Sequence, residues 1–111
     1  MGFKLARTET FQMKVEVDVV DDNGAWSKDS FIAFFKRAPE SEREELSKLG
    51  NAELVRNRLV GWKMKDDATG QDVPFDEDTK RAFFELTSGV AATAVAFWQG
   101  NVGAKEKNSS R

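Results

Sequence analysis

Between Phe11 and Val19 apolar and polar side chains alternate without a break, as Phe11-Gln12-Met13-Lys14-Val15-Glu16-Val17-Asp18-Val19. A period of two with β-branched residues predicts a strand with one dry face and one wet face. Asp21-Asp22-Asn23-Gly24 follows, and Asn-Gly tolerates the positive φ angles of a tight hairpin turn. The run from Trp26 to Arg37 is therefore expected to return antiparallel. Its pattern is less clean, with Phe31, Ala33 and Phe35 on one face and Ile32 and Phe34 on the other. A strand apolar on both faces is either sandwiched or keeps one face for a partner.

Pro39 closes that strand. Ser41 and Glu44 have the spacing of a capping box, in which each side chain satisfies an orphan backbone N–H, so a helix is expected to open there. Leu46 and Leu49 form a short apolar stripe, and Gly50 stands where a helix would stop. Asn51 is expected to cap a second short helix through Leu54, Val55 and Leu59. Leu59 to Lys65 then turns from that helix into a third strand containing Trp62. Asp66-Asp67-Ala68-Thr69-Gly70 is turn chemistry, and Val73 is held extended by Pro74. Asp76-Glu77-Asp78 supplies the negative charge that a helix N-terminus favours.

The last ordered block is expected from Asp76 to about Val102. Phe83, Leu86, Val90, Ala94 and Phe97 recur at spacings of 3, 4, 4 and 3, which is one helical face. Phe84, Val95, Trp98 and Val102 add a second stripe beside it. Thr87-Ser88-Gly89 interrupts, since glycine costs about 1 kcal/mol relative to alanine inside a helix, so two helices or a marked bend are expected. The pattern as a whole predicts one α+β domain over residues 1–102. It would be an antiparallel β-hairpin plus a third strand, packed against several short α-helices. Residues 1–10 are available as an extended arm, and the small, polar residues 103–111 read as a flexible C-terminal tail.

Composition narrows the function. A chain of 111 residues with 40% hydrophobic and 32% charged residues suits one globular domain. The net charge of -2 argues against nucleic acid, whose binding draws most of its affinity from Lys and Arg on phosphates. Neither histidine nor cysteine occurs. That removes the commonest general base, the usual activated nucleophile pairs and nearly all zinc sites. The acidic groups Asp66-Asp67, Asp72 and Asp76-Glu77-Asp78 do not match a calcium loop and read as turn and cap residues. No catalytic residue, metal or cofactor is expected. No run approaches the ~20 apolar residues of a membrane span, and the first residues have no signal-like apolar stretch. A cytoplasmic, non-enzymatic protein is expected.

Three apolar features remain as binding surfaces. The Phe31–Phe35 run beside Lys36 and Arg37 has the residues of a base-stacking platform, but the acidic balance favours a core-facing strand. Trp62 reads as a core residue in preference to a partner anchor. The doubly striped terminal block is open between the two roles, because an apolar face wider than ~100° is either deeply buried or awaiting a partner. Phe84, Phe97 and Trp98 are its candidate protein-contact residues.

The order of motifs resembles the tail assembly chaperones of long-tailed bacteriophages and prophages. The likeness is carried by Val60-Gly61-Trp62-Lys63-Met64-Lys65-Asp66-Asp67, then Gly70, then Val73-Pro74-Phe75-Asp76. The hairpin with Phe31-Ile32-Ala33-Phe34-Phe35-Lys36-Arg37 precedes it in matching order. Gly103-Ala104-Lys105-Glu106-Lys107-Asn108-Ser109 resembles the Lys-Asn-Ser endings of that group, departing from them by an extra lysine before Asn-Ser. The resemblance implies a non-catalytic protein of the host cytoplasm that coats the tape measure protein until tail tube subunits polymerise around it. Its implied partners are the tape measure protein and the major tail (tube) protein, with self-association also open, and with neither nucleic acid nor membrane. A tail completion or connector protein retained in the virion is the alternative of the same setting; a small single-strand nucleic-acid binder is the alternative from another class.

Overall fold

The alternating stretch forms β1 (Thr10–Val20), which pairs antiparallel with β2 (Trp26–Lys36) in unbroken register from Thr10–Lys36 to Val20–Trp26. This computed structural model describes residues 2–103. The hairpin loop is one residue longer than a two-residue Asn-Gly turn. Asp21 N–H donates to the Ala25 carbonyl and Gly24 N–H to the Asp21 carbonyl, which leaves three residues in the loop. Only Gly24 takes a left-handed φ, +82°; Asn23 does not. The Asp21 carboxylate replaces that strain with two local bonds, accepting from the N–H groups of Asn23 and Ala25.

β3 (Leu59–Lys63) adds antiparallel to β2, giving a sheet ordered β1-β2-β3. Phe34 pairs with Gly61 and Phe35 with Leu59, so Val60 is the extra residue of a bulge. The even-numbered face of β2 is not sandwiched. Ile32 and Phe34 lie half-buried beside exposed Lys14, Gln12 and Lys63, and the Phe34 ring covers Gly61, where an added Cβ would be 3.5 Å from it.

Four helices cover the other face: α1 (Glu40–Ser47), α2 (Asn51–Arg58), α3 (Glu77–Phe84) and α4 (Thr87–Val102). The last block does divide into two helices, but the break falls at Glu85-Leu86; Thr87, Ser88 and Gly89 form the first turn of α4. The expected caps of α1 and α2 are displaced by one or two residues. Pro39, extended at ψ 161°, is the α1 N-cap; Ser41 is already inside the helix and makes no cap bond. Gly50, with φ -69°, is the α2 N-cap and not a left-handed stop for α1, so Asn51 falls within the helix. Leu59 is the first residue of β3 and not the last of α2. At α3 the expectation holds. Asp76 accepts from Thr79 N–H at 2.9 Å while Thr79 Oγ1 accepts from Asp76 N–H.

The core lies between the odd-numbered sheet face and the helices. Val15, Ala33, Phe35, Leu54, Val55, Trp62, Phe83 and Phe97 are all buried there. Edge-on ring contacts link them from Phe97 to Phe35, and from Phe31 to Trp62 and Phe83. Trp62 Nε1–H, the polar atom of that ring, donates to the Val73 carbonyl at 2.9 Å. The segment around Val73 and Pro74 is thereby tied to the core.

Candidate functional site

α4 reads Thr87-Ser88-Gly89-Val90-Ala91-Ala92-Thr93-Ala94-Val95-Ala96-Phe97-Trp98-Gln99-Gly100-Asn101-Val102 and contains no charged residue. Its small side chains let it sit close to β1 and α2. A Cβ on Gly100 would collide with the Phe11 ring and lie 2.9 Å from Met13 Cγ, so only glycine permits this approach. Buried Thr93 returns its hydroxyl to the Gly89 carbonyl at 2.7 Å, and Asn101 Oδ1 accepts from Ala38 N–H at 2.8 Å. The helix ends on Gly103, at a left-handed φ of +84°. Residues 104–111, where most of the expected tail falls, lie outside the described residues.

The outward stripe of this helix carries no charge to match its exposure. Val95 is 57% exposed and Val102 62%, with half-buried Ala92 and Gln99 between and beside them. Surface helices normally turn charge to water, and a helix apolar on all sides is normally enclosed. α4 does neither.

The three residues expected at an interface are placed differently from one another. Phe97 is 0% exposed, packed against Phe11, Phe35 and Trp98. A side chain without exposed area offers a partner nothing, so Phe97 is reassigned from the interface to the core. Trp98 is half-buried, its ring 5.1 Å from that of Phe97. Phe84 is half-buried on a separate surface, a cleft of about 370 Å³ between α2 and α3.

That cleft was not foreseen. Phe75, Phe84, Val55 and Leu59 line it, and Arg56, Lys80 and Arg81 stand around it. The Arg56 guanidinium lies 4.5 Å from the Phe84 ring centre, and Lys80 Nζ 4.8 Å from that of Phe75. Its charged rim, which also includes Glu77 paired with Lys80, unites residues from two helices that only tertiary packing brings together. A second groove, of about 640 Å³, opens under the hairpin tip between Val17, Val19 and Phe31 on one side and Met64 and Leu86 on the other.

The acidic residues serve the turns and caps. Asp66 Oδ1 accepts from Ala68 N–H, Asp72 pairs with Lys65 at 2.9 Å, and Asp76 caps α3. The Thr79 backbone N–H, followed by the Thr79 hydroxyl, holds the Asp76 carboxyl below its ordinary value. Among the described residues no group of three or more Asp, Glu, His or Cys side chains is placed to hold a metal, and no helix is long and apolar enough to cross a membrane. Phe31 and Phe35, two rings of the would-be stacking platform, are buried.

No protein-family model matches the chain, and neither a curated protein nor a solved structure matches it.

Proposed function

We propose that the chain is a tail assembly chaperone of a long-tailed phage or prophage, acting without catalysis in the host cytoplasm. Its clients are the tape measure protein and, as the tube polymerises, the major tail protein. The observation that carries this reading is the uncharged outward stripe of α4, with Val95 and Val102 exposed and Trp98 half-buried beside them. A holding protein needs apolar surface of modest extent, surrounded by charge, for weak contacts repeated along a long helical client. The motif order around Trp62 and Pro74 supports the same reading by resemblance.

Co-expression with a tape measure protein, followed by separation of soluble and pelleted material, tests it. The parent chain should hold the client in solution, and Val95→Asp with Val102→Asp should return it to the pellet. Both sites are exposed, so folding should change by no more than about 0.5 kcal/mol per site. A client equally soluble with either version removes the α4 stripe from the mechanism. Abundant copies of the chain in purified virions, read by mass spectrometry, would favour the retained tail component instead.

A further inference from the structure

Residues 2–8 run outside any helix or strand, and every one of them is exposed. Phe3 is 80% exposed and Leu5 87%, the two most exposed large apolar side chains of the described residues. In an extended chain alternate side chains share a side, so Phe3, Leu5 and Arg7 face together. The Arg7 guanidinium already lies 5.1 Å from the Phe3 ring centre. The root of this arm is fixed. Arg37 Nε donates to the Thr8 carbonyl at 2.8 Å, Arg37 Nη2 to Thr8 Oγ1, and Arg37 N–H to the Glu9 carbonyl.

The groove under the hairpin tip is the complement of such an arm. Val19, Met64 and exposed Leu86 give it apolar walls, and Asp29, Asp66 and Asp67 stand at its rim. Among the described residues none of those three carboxylates is in a salt bridge, whereas the groove's two lysines are, Lys28 with Asp18 and Lys65 with Asp72. Three carboxylates against two lysines give the groove's lining a net negative charge, which faces a segment that carries Lys4 and Arg7.

The arm cannot reach the Val19 end of the groove of its own chain. Phe31, the wall nearest the arm, pairs with Val15, five positions along β1 from Thr10 or about 17 Å. Val19, against which Phe3 would have to pack, lies nine positions away, or about 31 Å. The arm is free only before Thr8, and five residues carry Phe3 at most about 18 Å from there. Leu5 reaches about half as far.

We infer that the arm of one copy docks in the hairpin-tip groove of a second copy, with Phe3 and Leu5 against Leu86, Met64 and Val19 and with Arg7, on the same side of the arm, reaching the carboxylates Asp29, Asp66 and Asp67 at the rim. Arm and groove lie at opposite ends of β1, so the contact is head-to-tail. Such contacts continue from copy to copy until they close into a ring or extend as a filament. This goes beyond client binding and needs no client.

Sedimentation velocity on the purified chain alone tests it. The sedimentation coefficient should rise with protein concentration, and less so as salt is raised. Phe3→Asp with Leu5→Asp, on an arm that packs on nothing, should leave a monomer. Leu86→Lys, which adds a like charge to the groove at an exposed site, should also leave a monomer with unchanged circular dichroism. An equimolar mixture of these two variants should form a 1:1 dimer and stop, because each retains the half the other lacks. A parent chain that remains monomeric at ~1 mM, an arm variant that associates like the parent, or a mixture that stays monomeric would each overturn the assignment. If the parent is monomeric and Leu86→Lys impairs client solubility, the groove's occupant is the client and not a second copy.

Discussion

α1 and α2 together contain sixteen residues, half of them charged; α4 contains sixteen and not one charge. The first pair buries only Leu46, Leu54, Val55 and Arg58, and turns the rest to water. α4 buries six residues, mostly small, and then continues apolar onto its exposed side. The difference separates two ways of attaching a helix to a sheet. α1 and α2 are held by a few large side chains and solvated by the remainder. α4 is held by closeness, through Gly89, Thr93, Ala94, Ala96 and Gly100, and its outer stripe owes nothing to the fold.

The inner face of α4 should therefore be the more sensitive of the two regions. Phe97→Ala empties a fully buried site between Phe11 and Phe35 and is expected to cost about 3–5 kcal/mol, measured by urea unfolding. Gly100→Ala comes next. The added methyl meets the Phe11 ring and Met13, and overpacking of this kind costs about 1–3 kcal/mol. If Gly100→Ala leaves the melting temperature unchanged, α4 is not held by close approach and the contrast with α1 and α2 collapses.

Much of this arrangement was legible in the sequence. Strict alternation from Phe11 to Val19 gave the strand and its dry face, because a side-chain period of two has only one reading at that length. The two stripes of the last block were legible too, but not which of them faces inward. Phe97 and Trp98 are adjacent and equally apolar, and only the approach of Gly100 to Phe11 decides that Phe97 is enclosed. The cleft at Phe84 was hidden for a related reason. Arg56 and Lys80 belong to different helices, and local spacing says nothing about their meeting.

The caps failed in one direction. Ser41 and Asn51 are good capping residues, but capping depends on which residue turns from extended to helical backbone, and Pro39 and Gly50 make that turn first. α3 is the exception, with side chain and backbone in agreement at Asp76. Its lowered pKa gives a sign. The ionised carboxylate is favoured in the folded chain, so its contribution is present above the ordinary aspartate range and is lost as pH falls through the lower folded value. Asp76→Ala should lower the melting temperature at neutral pH, and the gap from the parent should narrow under acid. A gap that stays constant with pH would mean that the carboxylate charge contributes nothing to the cap.

The smallest predicted effect repairs the cap that α2 lacks. Gly50 has the extended backbone of an N-cap, accepts the Leu54 N–H through its carbonyl, and offers no side chain to the first helical turn. Glu53 occupies the third helical position, where a capping box requires Glu or Gln. Space is open at Gly50, since a Cβ there would meet nothing within 4 Å. Gly50→Ser should therefore complete the box and stabilise the fold by a few tenths of a kcal/mol, because serine exceeds glycine at this position only slightly. The gain should appear as a higher urea midpoint with an unchanged slope. Because α2 is a charged helix held by few contacts, a local bond should register there. A variant no more stable than the parent would show that α2 is anchored by Leu54 and Val55 alone, and that its ends are already as ordered as its middle.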